Sequence, residues 1–377
     1  MHSEPFFAIE LGTSSVKAFL GQVAGASSQV LGSSVQPLAE ELRESGGVEK
    51  ERFRGAAEAI ERALGPLRRG KYRKLRQTIF ASAGGFIRGY TMRGVFPRER
   101  PNEALELAEL KNILQKLAWA SFERIRKRVK EELGRAHPAL KVVHAAIEEM
   151  KVDGYAVEEL LGRTGSELAL SVYHTYLLEE DFAFLKELAR EFNLEILGTV
   201  DSTYALARAL GKPDGILIDI GGSSTQVSVV RHHIFEGSRV FQLGGDTLSR
   251  HIARELGLGI WEGEYIKRRF VEGTLSERVG KQIGKVLERD LALWQSGVGV
   301  AVKEFSGLEM LPEEIILTGG GALFGGFQAS AKKLGKTVRV LGPEELGRGL
   351  SAMAQEFLRP RTTVEEMLER MIRIVQT

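Results

Sequence analysis

Between Gly215 and Val230 an apolar run, Ile216-Leu217-Ile218, ends in Asp219, crosses a turn of small residues and resumes as Val227-Ser228-Val229-Val230. Two strands joined by a glycine-rich tip are a β-hairpin. Sliding the chain against itself sets Ile9-Glu10-Leu11-Gly12-Thr13-Ser14-Ser15 on Ile218-Asp219-Ile220-Gly221-Gly222-Ser223-Ser224 without a gap, which predicts a duplicated unit. Residues 5–35 read as a three-stranded meander holding the first copy. Helical periods follow at about 49–65 (Phe53, Ala57, Ile60, Leu64), at about 102–134 (Leu110, Leu114, Leu117, Ile125, Val129 and Leu133 inward), at Asp181–Phe192, at 201–210 and around 262–267. Strand patterns fall at 78–82, 141–147, 152–157, 167–173 and 194–200. The last segment, 363–375, places Val364, Met367, Leu368, Met371, Ile372 and Val375 on one helical stripe, with Thr363 and Glu366 as a capping box.

The hairpin tips carry the candidate chemistry. Gly221 and Gly222 have no Cβ to obstruct an anion, Ser223, Ser224 and Thr225 add hydroxyl donors, and successive backbone N–H groups in such a turn form an anion-binding nest. Asp219 at the strand end suits Mg²⁺ held through water. A glycine pair beside an Asp is by itself equally a tight turn; the second copy is what argues for a ligand. Two further glycine clusters follow apolar strands: Gly244-Gly245-Asp246, and Ile315-Ile-Leu-Thr318-Gly319-Gly320-Gly321-Ala-Leu-Phe-Gly-Gly326.

A length of 377 residues predicts two principal domains with insertions. With 52 basic and 50 acidic side chains, net charge +2, nothing global favours nucleic acid or anionic lipid. The absence of cysteine excludes disulfides and thiolate metal sites. No apolar run has the length of a membrane span or the flanks of a leader, so a cytosolic protein is expected. The seven histidines form no metal pattern, and His232-His233 read as neighbours on a strand, facing opposite sides. The cluster Arg68, Arg69, Lys71, Arg73, Lys74, Arg76 reads as a solvated helix end or as a phosphate- or membrane-facing patch.

The two hairpin tips and the 315–326 motif, in this order, resemble those of the actin, Hsp70 and sugar-kinase superfamily. The resemblance implies an α/β, duplicated ribonuclease H-like actin fold, two lobes closing on ATP and Mg²⁺. It places Gly12, Thr13, Ser14, Lys17, Gly221, Gly222, Ser223 and Thr225 at the phosphates, Gly244, Gly245, Gly319, Gly320 and Gly321 along the nucleotide, and Glu10 and Asp219 at the metal through water. Glu264 and Lys267 correspond to a Glu-x-x-Lys that contacts ribose and adenine. Two departures matter. Glu10 stands where the superfamily has Asp, which moves the carboxylate outward by about a bond length. Ser202 stands where actins have the glutamine that positions the attacking water, so hydrolysis is expected to be slow or absent and no catalytic residue is assigned.

The segment from 84 to 165, with its long helix exposing Arg124, Arg126, Lys127, Arg128 and Lys130, its Asp153-Gly154-Tyr155 strand and its Leu161-Gly162-Arg-Thr-Gly165 turn, resembles the extra SHS2-type subdomain of the bacterial cell-division actin FtsA. The expected domains are therefore 1–83 with 166–205, an inserted 84–165, 206–245 with 306–358, a second-lobe subdomain 246–305, and a tail 359–377. What the resemblance implies is an ATP-binding protein that polymerises at the inner face of the cytoplasmic membrane, attached by the helix in 363–377, and tethers the FtsZ ring. A PilM-like pilus-assembly platform shares the insertion and is the alternative. A sugar kinase or exopolyphosphatase would need a further carboxylate in the cleft.

Overall fold

A computed structural model describes residues 4–25, 27–38, 49–305 and 310–376. The first lobe is a five-stranded sheet. Strands β1 (Glu4–Leu11), β2 (Ser15–Ala24) and β3 (Ser27–Pro37) form the expected meander, and β4 (Gln77–Ser82) and β9 (Glu195–Asp201) extend it in the order β3-β2-β1-β4-β9. The second lobe repeats this as β12-β11-β10-β13-β14, with β10 (Gly215–Ile220), β11 (Thr225–Arg231), β12 (Ile234–Phe241), β13 (Glu314–Thr318) and β14 (Thr337–Val340).

The duplication holds residue by residue. Leu11 faces Val16 as Ile220 faces Thr225 across the two hairpins, and Glu10 lies beside Ala81 as Asp219 lies beside Thr318 in the parallel pairs. Phe7, Ile9, Ile218 and Ile220 are buried because helices cover both sheet faces, which is why these strands read as near-continuous apolar runs. Helices α1 (Glu49–Leu64) and α3 (Glu179–Glu191) cover the first sheet, with Ala59, Ile60, Leu185 and Leu188 packed on Ile9 and Phe80. Helix α4 (Ser202–Ala209) crosses between the lobes. Helices α5 (Gly245–Leu256), α6 (Ile260–Val271) and α7 (Glu277–Lys303) build the second lobe's outer part, and α8 (Gly325–Lys332) and α9 (Pro343–Leu358) complete it. The histidine pair is not on a strand: His232 (φ 53°) and His233 (φ 61°) form the two-residue turn between β11 and β12, and two positive φ angles define a type I′ turn.

The inserted segment comprises β5 (Arg88–Pro97), α2 (Leu107–Leu133), β6 (Leu140–Val152), β7 (Tyr155–Ala156) and β8 (Glu167–Leu178). Asp153 and Gly154, expected on a strand, form another turn with both φ positive. Strand β8 lies past the expected boundary at 165 and pairs with β5 and β6 over its length, so it belongs to the inserted sheet. That sheet joins the second lobe at one ladder position, Gly237 against Tyr90, making nine continuous strands.

Two expectations for this region are corrected. Arg128 was expected outward, but it follows Ile125 at helical spacing and is buried, its guanidinium 5.2 Å from the Tyr90 ring centre and donating to the Ser238 carbonyl. Leu133, expected inward, is exposed at the helix end. The final helix, α10 (Thr363–Val375), has the expected stripe, yet Val364, Leu368, Met371, Ile372 and Val375 are buried against the inserted subdomain's core with Leu110, Leu114 and Leu117. The stripe expected to meet lipid is thus packed within the chain, where its side chains are removed from water. The capping box is one residue earlier than expected: Thr362 Oγ1 accepts from Glu365 N at 3.3 Å and the Glu365 carboxylate accepts from Thr362 N at 2.8 Å. No helix of the described residues is long and apolar enough to cross a membrane.

Candidate functional site

Each hairpin tip is closed by the same bond, Gly12 N to Ser15 O at 3.0 Å and Gly221 N to Ser224 O at 2.9 Å. The tips meet. Ser223 N donates to Thr13 Oγ1 at 3.1 Å, and Ser14 Oγ donates to Asp246 Oδ2 at 3.1 Å. A Cβ on Gly222 would fall 1.7 Å from Ser14 Oγ, so only glycine permits this approach. Behind the tips, Lys17 is ion-paired with Glu10, its partner across the β1–β2 ladder. Burial lowers the Lys17 pKa, but the negative charges of Glu10 and Asp219 outweigh it and the net direction is up. Asp219 is pushed up to about 7 by burial and by the Glu10 charge, against the pull of Lys17.

The third motif reaches the same place. Gly319, at φ 84°, backs onto the strand end so closely that a Cβ would lie 2.2 Å from Asp219 Oδ1, and Gly321 is packed on Ile220 while Gly320 faces open space. Gly244 abuts the second tip, where a Cβ would meet the Gly221 and Gly222 carbonyls at 2.5 Å. Gly245 N and Asp246 N donate to those carbonyls at 2.9 and 2.8 Å, so the first turn of α5 is stitched to the hairpin. Lys267 Nζ donates to Gly245 O at 2.9 Å and pairs with Glu264 at 2.7 Å. Burial opposes ionisation of Glu264, but Lys267, the Ser249 hydroxyl at 2.5 Å and Arg268 draw its pKa down to about 2. These two residues therefore clamp α6 to the start of α5.

Thr225 stands apart from the other expected phosphate contacts. Its hydroxyl donates to Leu243 O at 2.6 Å and accepts from the Trp294 indole at 3.0 Å, inside the second lobe's core. It is the first residue of β11, and strand alternation turns it inward. Ser202 is buried with no protein partner for its hydroxyl.

Sequence reasoning missed three polar residues here. Asp246 was passed over as the neighbour of two glycines, although an acid in the first turn of a glycine-led helix is a legible signal. Asp201 caps α4, accepting from Thr203 N at 2.8 Å, and also accepts from Gln226 Nε2 at 2.8 and 2.9 Å and Ser238 Oγ at 3.2 Å. Gln226 in turn accepts from Gly84 N at 2.8 Å. Gln226 occupies in the second hairpin the position Lys17 has in the first, so duplication could have flagged it. Together these residues tie the end of the first lobe's sheet, the root of the insertion and the second hairpin.

The arrangement offers an anion two glycine-rich turns, hydroxyls and one lysine, and offers a cation two carboxylates. No group of three or more His, Cys, Asp or Glu side chains among the described residues is arranged to hold a metal ion directly. A phosphate between the tips would have to part the Thr13–Ser223 and Ser14–Asp246 contacts, which now fill that position.

Two sheets of one topology, related hairpins meeting across a cleft and a third glycine turn behind the second define an actin-like fold. No family model matches the chain. It is 23% identical to the cell division protein FtsA of Bacillus subtilis (strain 168), over 92% of this chain and 80% of that protein. It is also 23% identical to FtsA of Pseudomonas aeruginosa (strain PAO1), over 70% of this chain, and spans only 60% of that relative's length. Among solved structures, the PilM-PilN type IV pilus biogenesis complex matches with a TM-score of 0.61 and 18% identity, over 97% of this chain and 98% of that one. Among actin-like proteins, the chain is thus similar in sequence to FtsA and in fold to PilM.

Proposed function

We propose that this protein is an actin-like scaffold that binds ATP with Mg²⁺ between its two hairpins and uses the nucleotide to control its assembly with itself and with a partner in a division or pilus apparatus. The observation that carries the reading is the tip-to-tip contact of the hairpins with Glu10, Lys17 and Asp219 behind it: nucleotide entering there acts on the contact between lobes. Gly12, Thr13, Ser14, Gly221, Gly222 and Ser223 would take the phosphates, Gly319–Gly321 the nucleoside, and the two carboxylates the cation through water. Two features support a scaffold at most slowly hydrolytic: Ser202 is too short and too buried to place a water, and Asp246 is engaged by Ser14.

Sequence similarity to FtsA supports a place in cell division, at the inner face of the cytoplasmic membrane and in contact with FtsZ. The docked final helix, whose apolar stripe is taken up within the chain, favours instead a pilus-assembly platform of the PilM kind. Thermal melts with and without Mg·ATP, followed by sedimentation of the protein alone and with FtsZ polymers, test both. ATP should raise the melting temperature, as any ligand selective for the folded state does, and Asp219→Ala should remove the rise. Wild-type protein indifferent to ATP sinks the nucleotide reading. Nucleotide-dependent co-sedimentation with FtsZ decides for division; ATP binding without it decides for the platform.

A further inference from the structure

The long helix of the insertion, α2, has a second face that is exposed along its length. Its inward side packs Leu110, Leu114, Leu117, Ile125 and Val129 on the inserted sheet, and α10 lies along part of its flank. The outward side spans 27 residues, about 40 Å at 1.5 Å per residue. Lys116, Arg126, Lys127 and Lys130 are exposed along it, with Lys111 and Arg124 exposed on its flanks, against three exposed acids in the same stretch, Glu123, Glu131 and Glu132. Glu109 is held by Arg98, and Glu132, though exposed, is paired with the buried Arg128. Glu123 pairs with Arg126 at 3.1 Å and Glu131 lies 4.0 Å from Lys127, which leaves Lys111, Lys116, Arg124 and Lys130 without an ion pair among the described residues. In their midst stands Trp119, 48% exposed, with Leu107 and Leu133 exposed at the two ends. At about 100° per residue, Lys116, Trp119, Arg126 and Lys130 project to one side.

We infer that this outward face docks on an anionic lipid bilayer, with Lys116, Arg126, Lys127 and Lys130 at headgroup phosphates and the Trp119 indole among the headgroups. An excess of cations is attracted to an anionic leaflet, and an indole with one polar edge settles at the membrane interface. An acidic protein would meet the charges equally well. The half-exposed indole among these cations, where the acid Glu123 is paired with Arg126, favours the bilayer, because it adds partial burial at headgroup depth to the electrostatic term. The helix is already folded against its sheet, so docking requires no ordering of the chain. This surface is distinct from the buried stripe of α10, and the inference goes beyond the nucleotide reading without resting on it.

The test uses the full chain without nucleotide, mixed with vesicles of phosphatidylcholine alone or of phosphatidylcholine with phosphatidylglycerol. The protein should sediment with the anionic vesicles and be released by salt, and its tryptophan emission should shift to the blue. Lys116→Glu/Lys127→Glu/Lys130→Glu should weaken binding by about tenfold or more, since each cation near an anionic leaflet contributes roughly a kilocalorie per mole. Trp119→Phe should abolish the emission shift, whereas Trp261→Phe should keep it. Both variants alter exposed side chains, and unchanged melting curves establish that they fold. Protein that ignores anionic vesicles at low salt overturns the inference, as does binding that survives the triple reversal. An equal emission shift with polyglutamate and no vesicles assigns the face to an acidic polypeptide instead.

Discussion

The hydroxyl of Ser14 donates to the carboxylate of Asp246 at 3.1 Å, joining the first hairpin to the second lobe across 232 positions of sequence. With the Thr13–Ser223 contact it holds the cleft shut at the place proposed for phosphate, and it sets a buried negative charge there. A ligand carrying negative charge must displace the bond and tolerate the carboxylate.

Asp246→Asn keeps an acceptor for Ser14 and removes the charge. ATP should bind this variant several-fold more tightly, since a like charge near a phosphate costs on the order of 1 kcal/mol even at a high effective dielectric. Titration calorimetry on both proteins reads the difference. Equal or weaker binding by a variant with an unchanged melting temperature would place the phosphates elsewhere.

Asp219 makes stability depend on pH in the opposite sense to most carboxylates. With its pKa pushed up to about 7 by burial and Glu10, the folded protein holds a proton that the unfolded chain, titrating near about 4, has released. Its contribution to stability is therefore greatest at low pH and declines as pH rises through that window. Asp219→Asn should melt higher than wild type at pH 8, with the gap narrowing as pH falls below about 7 and closing only at about 4, since each 1 kcal/mol shifts a domain of this size by roughly 2–4 °C. Parallel melting-temperature profiles for the two proteins would contradict the assignment.

The docked tail sets a third expectation. Leu368 is buried in the inserted core, so Leu368→Ala should cost about 2–5 kcal/mol. Met371→Glu/Ile372→Glu should cost more, by burying two carboxylates without partners. Urea denaturation followed by circular dichroism measures both. Unchanged midpoints would mean that the helix leaves the body in solution and that its stripe is free for another surface.

The hairpins and their duplication were legible because turn chemistry and strand period are local. Glu10 and Asp219, 209 positions apart on the gap-free register, indeed sit at matching ladder positions. What the sequence withheld was partnership. The stripe of 363–375 announces that something covers it, and an amphipathic helix looks the same whether lipid or protein does so. Arg128 was read from its charge when its spacing from Ile125 gave the better answer. Strand β8 was assigned to the first lobe because nothing in a run of alternating residues says which neighbour it will pair with. Thr225 looked like part of the tip because tip and strand share the same small polar residues.

The insertion leaves the first lobe by its chain but reaches the second by hydrogen bonding, through Gly237 and Tyr90, the Thr91 hydroxyl on the Phe235 carbonyl and the Arg128 guanidinium on the Ser238 carbonyl. Its Ala146 and Tyr173 meanwhile pack among first-lobe side chains such as Phe6 and Ile79. In mechanical terms it is a plate gripped between two jaws, and a change in jaw angle has to appear as slip along one of its faces. Strand β5 is laced to β8 from Arg88 to Pro97 but to β12 at a single ladder position, so the slip plane runs between β5 and β12. Whatever rests on the far side of the plate would then sense the state of the cleft as a tilt, at a distance and without touching what lies inside it.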